Sequence, residues 1–153
     1  MAKPYIGVIG ASKISQEFEK IAFEVGFEIA KRGGILVCGG LAGVMEAVCK
    51  GAKKAGGTTI GILPGLARNQ ANPYIDIAIT TGLLEARNLI IVRTSDVLIA
   101  IDKGLGTLSE IAFALKMKKP VIGIGTWDIE LPLIKVKTAE EAVTKAWENL
   151  TKH

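Results

Sequence analysis

Apolar residues fall along this chain in two alternating rhythms: short unbroken runs, and longer stretches in which they recur every three or four positions. The runs Tyr5 to Ile9, Ile35 to Cys38, Thr59 to Leu63, Ile75 to Ile79, Val97 to Ile101 and Val121 to Ile124 predict strands, with a short edge strand at Leu133 to Val136. Helical spacing runs through Phe18, Ile21, Val25 and Ile29 (about Ser15 to Arg32), and through Val44, Ala47, Val48 and Ala52. It returns in Leu84, Arg87, Asn88 and Ile91 (Leu83 to about Thr94) and in Leu108, Ile111, Ala112 and Leu115. A last helix starts at the cap Thr138, with Glu141 three residues on, and continues through Ala142, Ala146, Trp147 and Leu150. Gly33-Gly34, Gly56-Gly57 and Pro120 stop the helices that precede them.

Strands that are apolar along their whole length are buried on both faces, and strands alternating with helices build parallel sheets. The pattern predicts one α/β domain over residues 1–153: a Rossmann-like, doubly wound, mainly parallel sheet of about six or seven strands with helices on both faces. Ligands of such sheets bind beyond the carboxyl ends of the strands, at the switch point, expected here between the first and fourth strands.

The loops at that edge are rich in glycine. They read Gly10-Ala11-Ser12, Gly39-Gly40-Leu41-Ala42-Gly43, Thr81-Gly82 and Asp102-Lys103-Gly104-Leu105-Gly106-Thr107. The last follows a buried strand and opens a helix, whose first N–H groups and positive dipole end make a place for a phosphate. Glu110, about one turn further on, would reach whatever that loop anchors. The same residues also have a plain structural reading. Thr107-Leu108-Ser109-Glu110 fits a capping box, in which Glu110 only starts the helix, and Arg87 fits a solvated helix face.

Composition narrows the chemistry. With 49% hydrophobic and 22% charged residues in 153, part of the apolar surface is expected in a subunit interface, giving a homodimer or higher homo-oligomer. The net charge of +4 is scattered and aromatics make up 5%, so neither a basic arm nor a stacking platform for nucleic acid is present. No signal peptide or apolar run of membrane-spanning length is visible, and Cys38 and Cys49 read as reduced thiols of a cytoplasmic protein. The single histidine is His153, the last residue, which disfavours Ser-His-Asp and Cys-His catalysis and the common zinc sites.

No strand is followed by GxGxxG, and the second ends in Cys38 where a ribose-binding acid would stand, so a nicotinamide cofactor is disfavoured. The pattern GxxxxGK[ST] is absent, and no lysine is marked out for pyridoxal chemistry. Neither a cofactor nor a metal is expected.

Three segments then carry a resemblance: Gly39-Gly40-Leu41-Ala42-Gly43-Val44-Met45, Glu85-Ala86-Arg87-Asn88, and Gly104-Leu105-Gly106-Thr107-Leu108-Ser109-Glu110. In this order and spacing they resemble the LOG (Lonely Guy) family, once labelled "lysine decarboxylase-like", and within it the short branch that includes molybdenum-cofactor carrier proteins. The resemblance covers nearly the whole chain. It implies a homodimeric phosphoribohydrolase that cleaves a nucleoside 5′-monophosphate into free base and ribose 5-phosphate. Gly104, Gly106 and Thr107 would hold the phosphate, Glu110 would bind the ribose and help water attack, and Arg87 would be its catalytic partner. Gly10, Ser12, Gly39, Gly40, Gly43, Met45, Asn88 and Lys103 join them as ligand-binding candidates. An adjacent carboxylate suits such chemistry, because the sugar passes through an oxocarbenium-like state.

Two departures qualify the implication. Asp102-Lys103-Gly104 stands where the family has Pro-Gly-Gly, and Asn88 stands where plant-type members carry a basic residue. Both leave the binding of a phosphorylated, nucleotide-like molecule intact and weaken turnover. The second reading is therefore a carrier of a nucleotide or of the molybdenum cofactor. The third is a structural oligomer whose glycines are only turns and caps.

Overall fold

In the computed structural model, which describes residues 2–128 and 130–150, consecutive side chains along each central strand feed two different cores. On β1 (Tyr5–Gly10) Val8 packs into one layer and Ile9 into the other; on β2 (Ile35–Cys38) Leu36 and Val37 divide the same way. On β5 (Val97–Ile101) Ile99 and Leu98 repeat the division, and every residue of that strand is buried. This is the period of two that a sheet covered on both faces imposes. Each fully buried Ile, Leu or Val contributes about 1.5–3 kcal/mol of apolar transfer.

With β3 (Thr59–Leu63), β4 (Ile77–Thr80), β6 (Val121–Ile124) and β7 (Ile134–Val136), these strands form one sheet in the order β4-β3-β2-β1-β5-β6-β7, parallel throughout. Helices α1 (Gln16–Lys31), α2 (Val44–Lys54) and α5 (Ala139–Leu150) cover one face, and α3 (Arg87–Thr94) and α4 (Leu105–Lys116) the other. The Rossmann-like α/β expectation holds. No helix among the described residues is long and apolar enough to cross a membrane.

Three expectations need correction. The switch point lies between β1 and β5, not between the first and fourth strands, because β4 adds outside β3 at the sheet edge. The strand expected from Ile75 begins at Ile77. Before it, Asp76 accepts hydrogen bonds from the Thr59 N–H (3.0 Å) and Lys53 Nζ (2.8 Å), which ties the chain into a turn. The helix expected from Leu83 splits into a 3-10 turn at Leu84–Ala86 and α3, which starts at Arg87. Leu84, the first residue of the 3-10 turn, has φ 52, a left-handed value that keeps an α-helix from running on from Leu83. His153 lies outside the described residues.

Candidate functional site

At the carboxyl edge the chain leaves β1 and β5 in opposite directions, and a cleft of about 560 Å³ opens between the two departures. One wall is the loop after β1, with Gly10, Ser12 and Lys13. It ends at Ser15, whose Oγ accepts from the Phe18 N–H (3.3 Å) and starts α1.

The facing wall is the turn after β5, with Lys103 and Gly104, and the first turns of α4. The N-cap of α4 is Gly104, with no side-chain cap, so the first N–H groups of the helix have no capping oxygen. Trp127 in the loop after β6 donates its indole N–H to the Gly104 carbonyl (3.0 Å) and fixes that peptide from behind.

This geometry overturns the capping-box reading of Thr107. Helix α4 begins before it, at Leu105, so Thr107 sits inside the first turn and Glu110 in the second. The Thr107 hydroxyl is buried and has no hydrogen-bond partner among the described residues. A Cβ on Gly104 would meet nothing closer than the Thr107 Oγ1 at 3.4 Å, and one on Gly106 nothing closer than Asn88 Nδ2 at 3.7 Å. Packing within the protein does not demand glycine at either place.

Arg87 is also not the solvated residue that its surroundings in the sequence allow: it is 9% exposed and lines the cleft. Its guanidinium crosses Gly39, where a Cβ would collide with Arg87 Nη1. Nη1 donates to Asn88 Oδ1 (3.0 Å), while the buried Nε has no partner among the described residues. Burial lowers the Arg87 pKa, opposed by the charge of Glu110. Glu110, 6% exposed, is pushed up to about 8 by burial, with the Arg87 charge opposing. Among the described residues the two form no ion pair. Burial disfavours the charged form of Glu110, and Lys13, Lys103 and Arg87 outnumber Glu85 among the other charged residues of the lining.

Of the sequence candidates, Gly10, Ser12, Gly39, Met45, Arg87, Asn88, Lys103, Gly104, Gly106, Thr107 and Glu110 line one cleft. Gly40 and Gly43 do not: Gly40 backs onto Leu63 and Gly61 of β3, and Gly43 is the N-cap of α2, pressed against Ala11 and Ser12. Sequence reasoning missed Lys13, Leu41, Pro64, Leu84 and Leu105 in the lining, and Trp127 behind it. The topology gives the cleft two characters. Lysines come from the loops after β1 and β5, and Leu41, Met45, Pro64 and Leu84 come from the connections after β2, β3 and β4.

In the turn after β5, Asp102 has φ 64. A proline ring fixes φ near about −65° and could not occupy this conformation. Below the floor, Cys38 and Cys49 are buried free thiols with their sulfurs 3.5 Å apart, and the Gly40 N–H points at the Cys38 sulfur (3.3 Å).

Comparison with known proteins places these features among relatives. The model of the SLOG cluster4 family matches residues 3–151. The molybdenum cofactor binding protein of the phototrophic bacterium Rippkaea orientalis is 41% identical, with a TM-score of 0.91 over 97% of this chain and 98% of that one. The molybdenum cofactor carrier protein of Chlamydomonas reinhardtii is 40% identical, with a TM-score of 0.90 over 98% of this chain and 99% of that one. A cytokinin riboside 5′-monophosphate phosphoribohydrolase of Mycobacterium tuberculosis is 33% identical over 126 residues, 76% of this chain and 67% of that protein.

Proposed function

The chain belongs to the SLOG cluster4 family, and from that footing we propose that its cleft binds a phosphorylated, ring-bearing small molecule and carries it without turnover, the molybdenum cofactor being the first candidate. The LOG-like resemblance carried by the three motifs agrees with the named relatives on both sides of the family. The observation that carries the reading is that two of the three buried side-chain polar atoms without a partner among the described residues, Thr107 Oγ1 and Arg87 Nε, belong to residues that line this cleft beside the uncapped start of α4. An unsatisfied buried polar group costs about 1–3 kcal/mol. Both residues line the cleft, and a phosphate bound there would sit where the helix dipole favours negative charge.

Carriage is preferred to hydrolysis because the two molybdenum cofactor proteins match this chain nearly end to end at 41% and 40% identity, while the phosphoribohydrolase matches at 33% over 76% of it. Burial pushes the Glu110 pKa up to about 8 and favours the neutral acid, which would donate a hydrogen bond to the ligand. Lys103 would add a point charge toward the phosphate, and Leu41, Met45, Pro64 and Leu84 would receive the ring.

Phosphoribohydrolase activity is the second reading, favoured by the presence of Glu110 and Arg87 in the same cleft. A homo-oligomer belongs to the same proposal. Leu66, Leu83, Leu84 and Leu105 are exposed, and Leu84 and Leu105 stand on the cleft, where a second copy of the chain would cover them.

The purified protein is incubated with molybdenum cofactor and with a panel of nucleoside 5′-monophosphates. Binding is followed by thermal shift and free base by chromatography. Stabilisation by the cofactor without base release is the expected result. Base release that disappears in Glu110→Gln would replace this reading with the hydrolase.

A further inference from the structure

The most directional feature of the cleft wall is a relay of side chains that the ligand reading leaves unused. Arg87 Nη1 donates to Asn88 Oδ1 (3.0 Å), Asn88 Nδ2 donates to Ser109 Oγ (3.2 Å), and Ser109 Oγ donates to the Gly106 carbonyl (2.7 Å). Each link fixes the sense of the next. A guanidinium only donates, so the Asn88 oxygen must face it, and the amide nitrogen is left for Ser109. The serine hydroxyl, having accepted, spends its proton on the carbonyl.

We propose that Asn88 and Ser109 act as positioning residues, a brace that sets the Arg87 guanidinium by tying it to the first turn of α4. The contact between Arg87 and Asn88 is not a by-product of the helix, because adjacent residues on a helix do not face each other. It is also the only hydrogen bond of the Arg87 guanidinium among the described residues, and Glu110 supplies no ion pair. A long, flexible cation that is 9% exposed thus depends on one neutral acceptor for its orientation. With Nη1 held, the unpartnered Nε is presented in a fixed place.

The relay uses one lone pair of the Asn88 amide oxygen and one N–H of its amide nitrogen, and through these Asn88 acts on Arg87. The consequence for the ligand rests on the oxyanion reading of the cleft; the brace itself does not. If α3 and α4 shift relative to each other, the guanidinium shifts with them, which couples the cation to the loop that would hold the phosphate.

The test separates the two claims. Nitrogen-15 relaxation of the Arg87 Nε–H group reports its order in the free protein, and titration with GMP reports its use. In the wild type the Nε–H group is as ordered as the backbone, and in Asn88→Leu and Ser109→Ala it becomes mobile. Ser109 is only half-buried, so Ser109→Ala keeps the test open if Asn88→Leu does not fold. Ser109→Ala weakens GMP binding by roughly three- to tenfold, the loss of one hydrogen bond, and has no further effect in an Arg87→Met background.

An Nε–H group that stays equally ordered in both variants overturns the brace. So does a Ser109→Ala loss of the same size in the Arg87→Met background. Mobility in the variants without GMP binding by the wild type upholds the brace and sinks the oxyanion reading.

Discussion

Gly39 and Arg87 occupy one space: the guanidinium lies where a β-carbon on Gly39 would be, with Met45 Sδ 2.7 Å from the same point. Both obstacles are the far ends of flexible side chains, so a methyl group there would move Arg87 aside and leave the strand intact. Gly39→Ala is therefore expected to fold and to lose ligand affinity by about tenfold or more, the worth of a charge-assisted hydrogen bond. Far-ultraviolet dichroism and a calorimetric titration check the two halves. Unchanged affinity would mean that Arg87 does not meet the ligand.

Gly106 gives the opposite balance. It lies in the first turn of α4, and a Cβ there would meet only ordinary contact at 3.7 Å. Gly106→Ala should stabilise the free protein by about 0.4–1 kcal/mol through the unfolded chain. It should also weaken the ligand by placing a methyl group where the backbone faces the cleft. A melting curve and a titration of the same sample decide it, and stronger binding would remove the phosphate from this turn.

The Glu110 carboxyl makes stability depend on pH. Burial raises its pKa from 4.5 to about 8, so the folded chain keeps a proton that the unfolded chain has already released. Stability is full below about pH 4.5 and falls as pH rises through about 8, by at most roughly 1.4 kcal/mol per pH unit. Glu110→Gln should lack this component, and its melting temperature should draw ahead of the wild type between pH 5 and 9. Parallel curves for the two proteins would place the carboxyl in an ordinary, solvated state.

What the sequence revealed, and what it hid, follows from the range of the interactions. The bounds of β2 and β5 follow from unbroken apolar runs, since burial on both faces leaves no polar position to blur an end. The start of β4 is hidden because Asp76 answers to Thr59 and Lys53, well away in the chain.

Two identical Thr-x-x-Glu patterns show the limit most clearly. At Thr138 the hydroxyl accepts from the Glu141 N–H (3.2 Å), the capping half of a capping box, and donates to the Glu141 carboxylate (3.2 Å). At Thr107 the same letters sit inside a helix that starts at Leu105. The glycines that face the cleft were legible from their motif. The relay from Arg87 to Gly106 was not, because it joins two helices through side chains whose neighbours in sequence say nothing of their orientation.

The most direct measurement is a calorimetric titration of the wild type and Thr107→Val with GMP and with guanosine. GMP carries the 2-amino-4-oxopyrimidine ring that a pterin also has, and guanosine differs from it only in lacking the phosphate. The Thr107 hydroxyl is buried and has no partner among the described residues, so a methyl in its place should leave the free protein at least as stable, by up to about 1 kcal/mol. The wild type is expected to bind GMP well above guanosine, and Thr107→Val to remove most of the difference. Equal binding of the two ligands, or a Thr107→Val protein that still prefers GMP as strongly, would contradict the phosphate site at the start of α4.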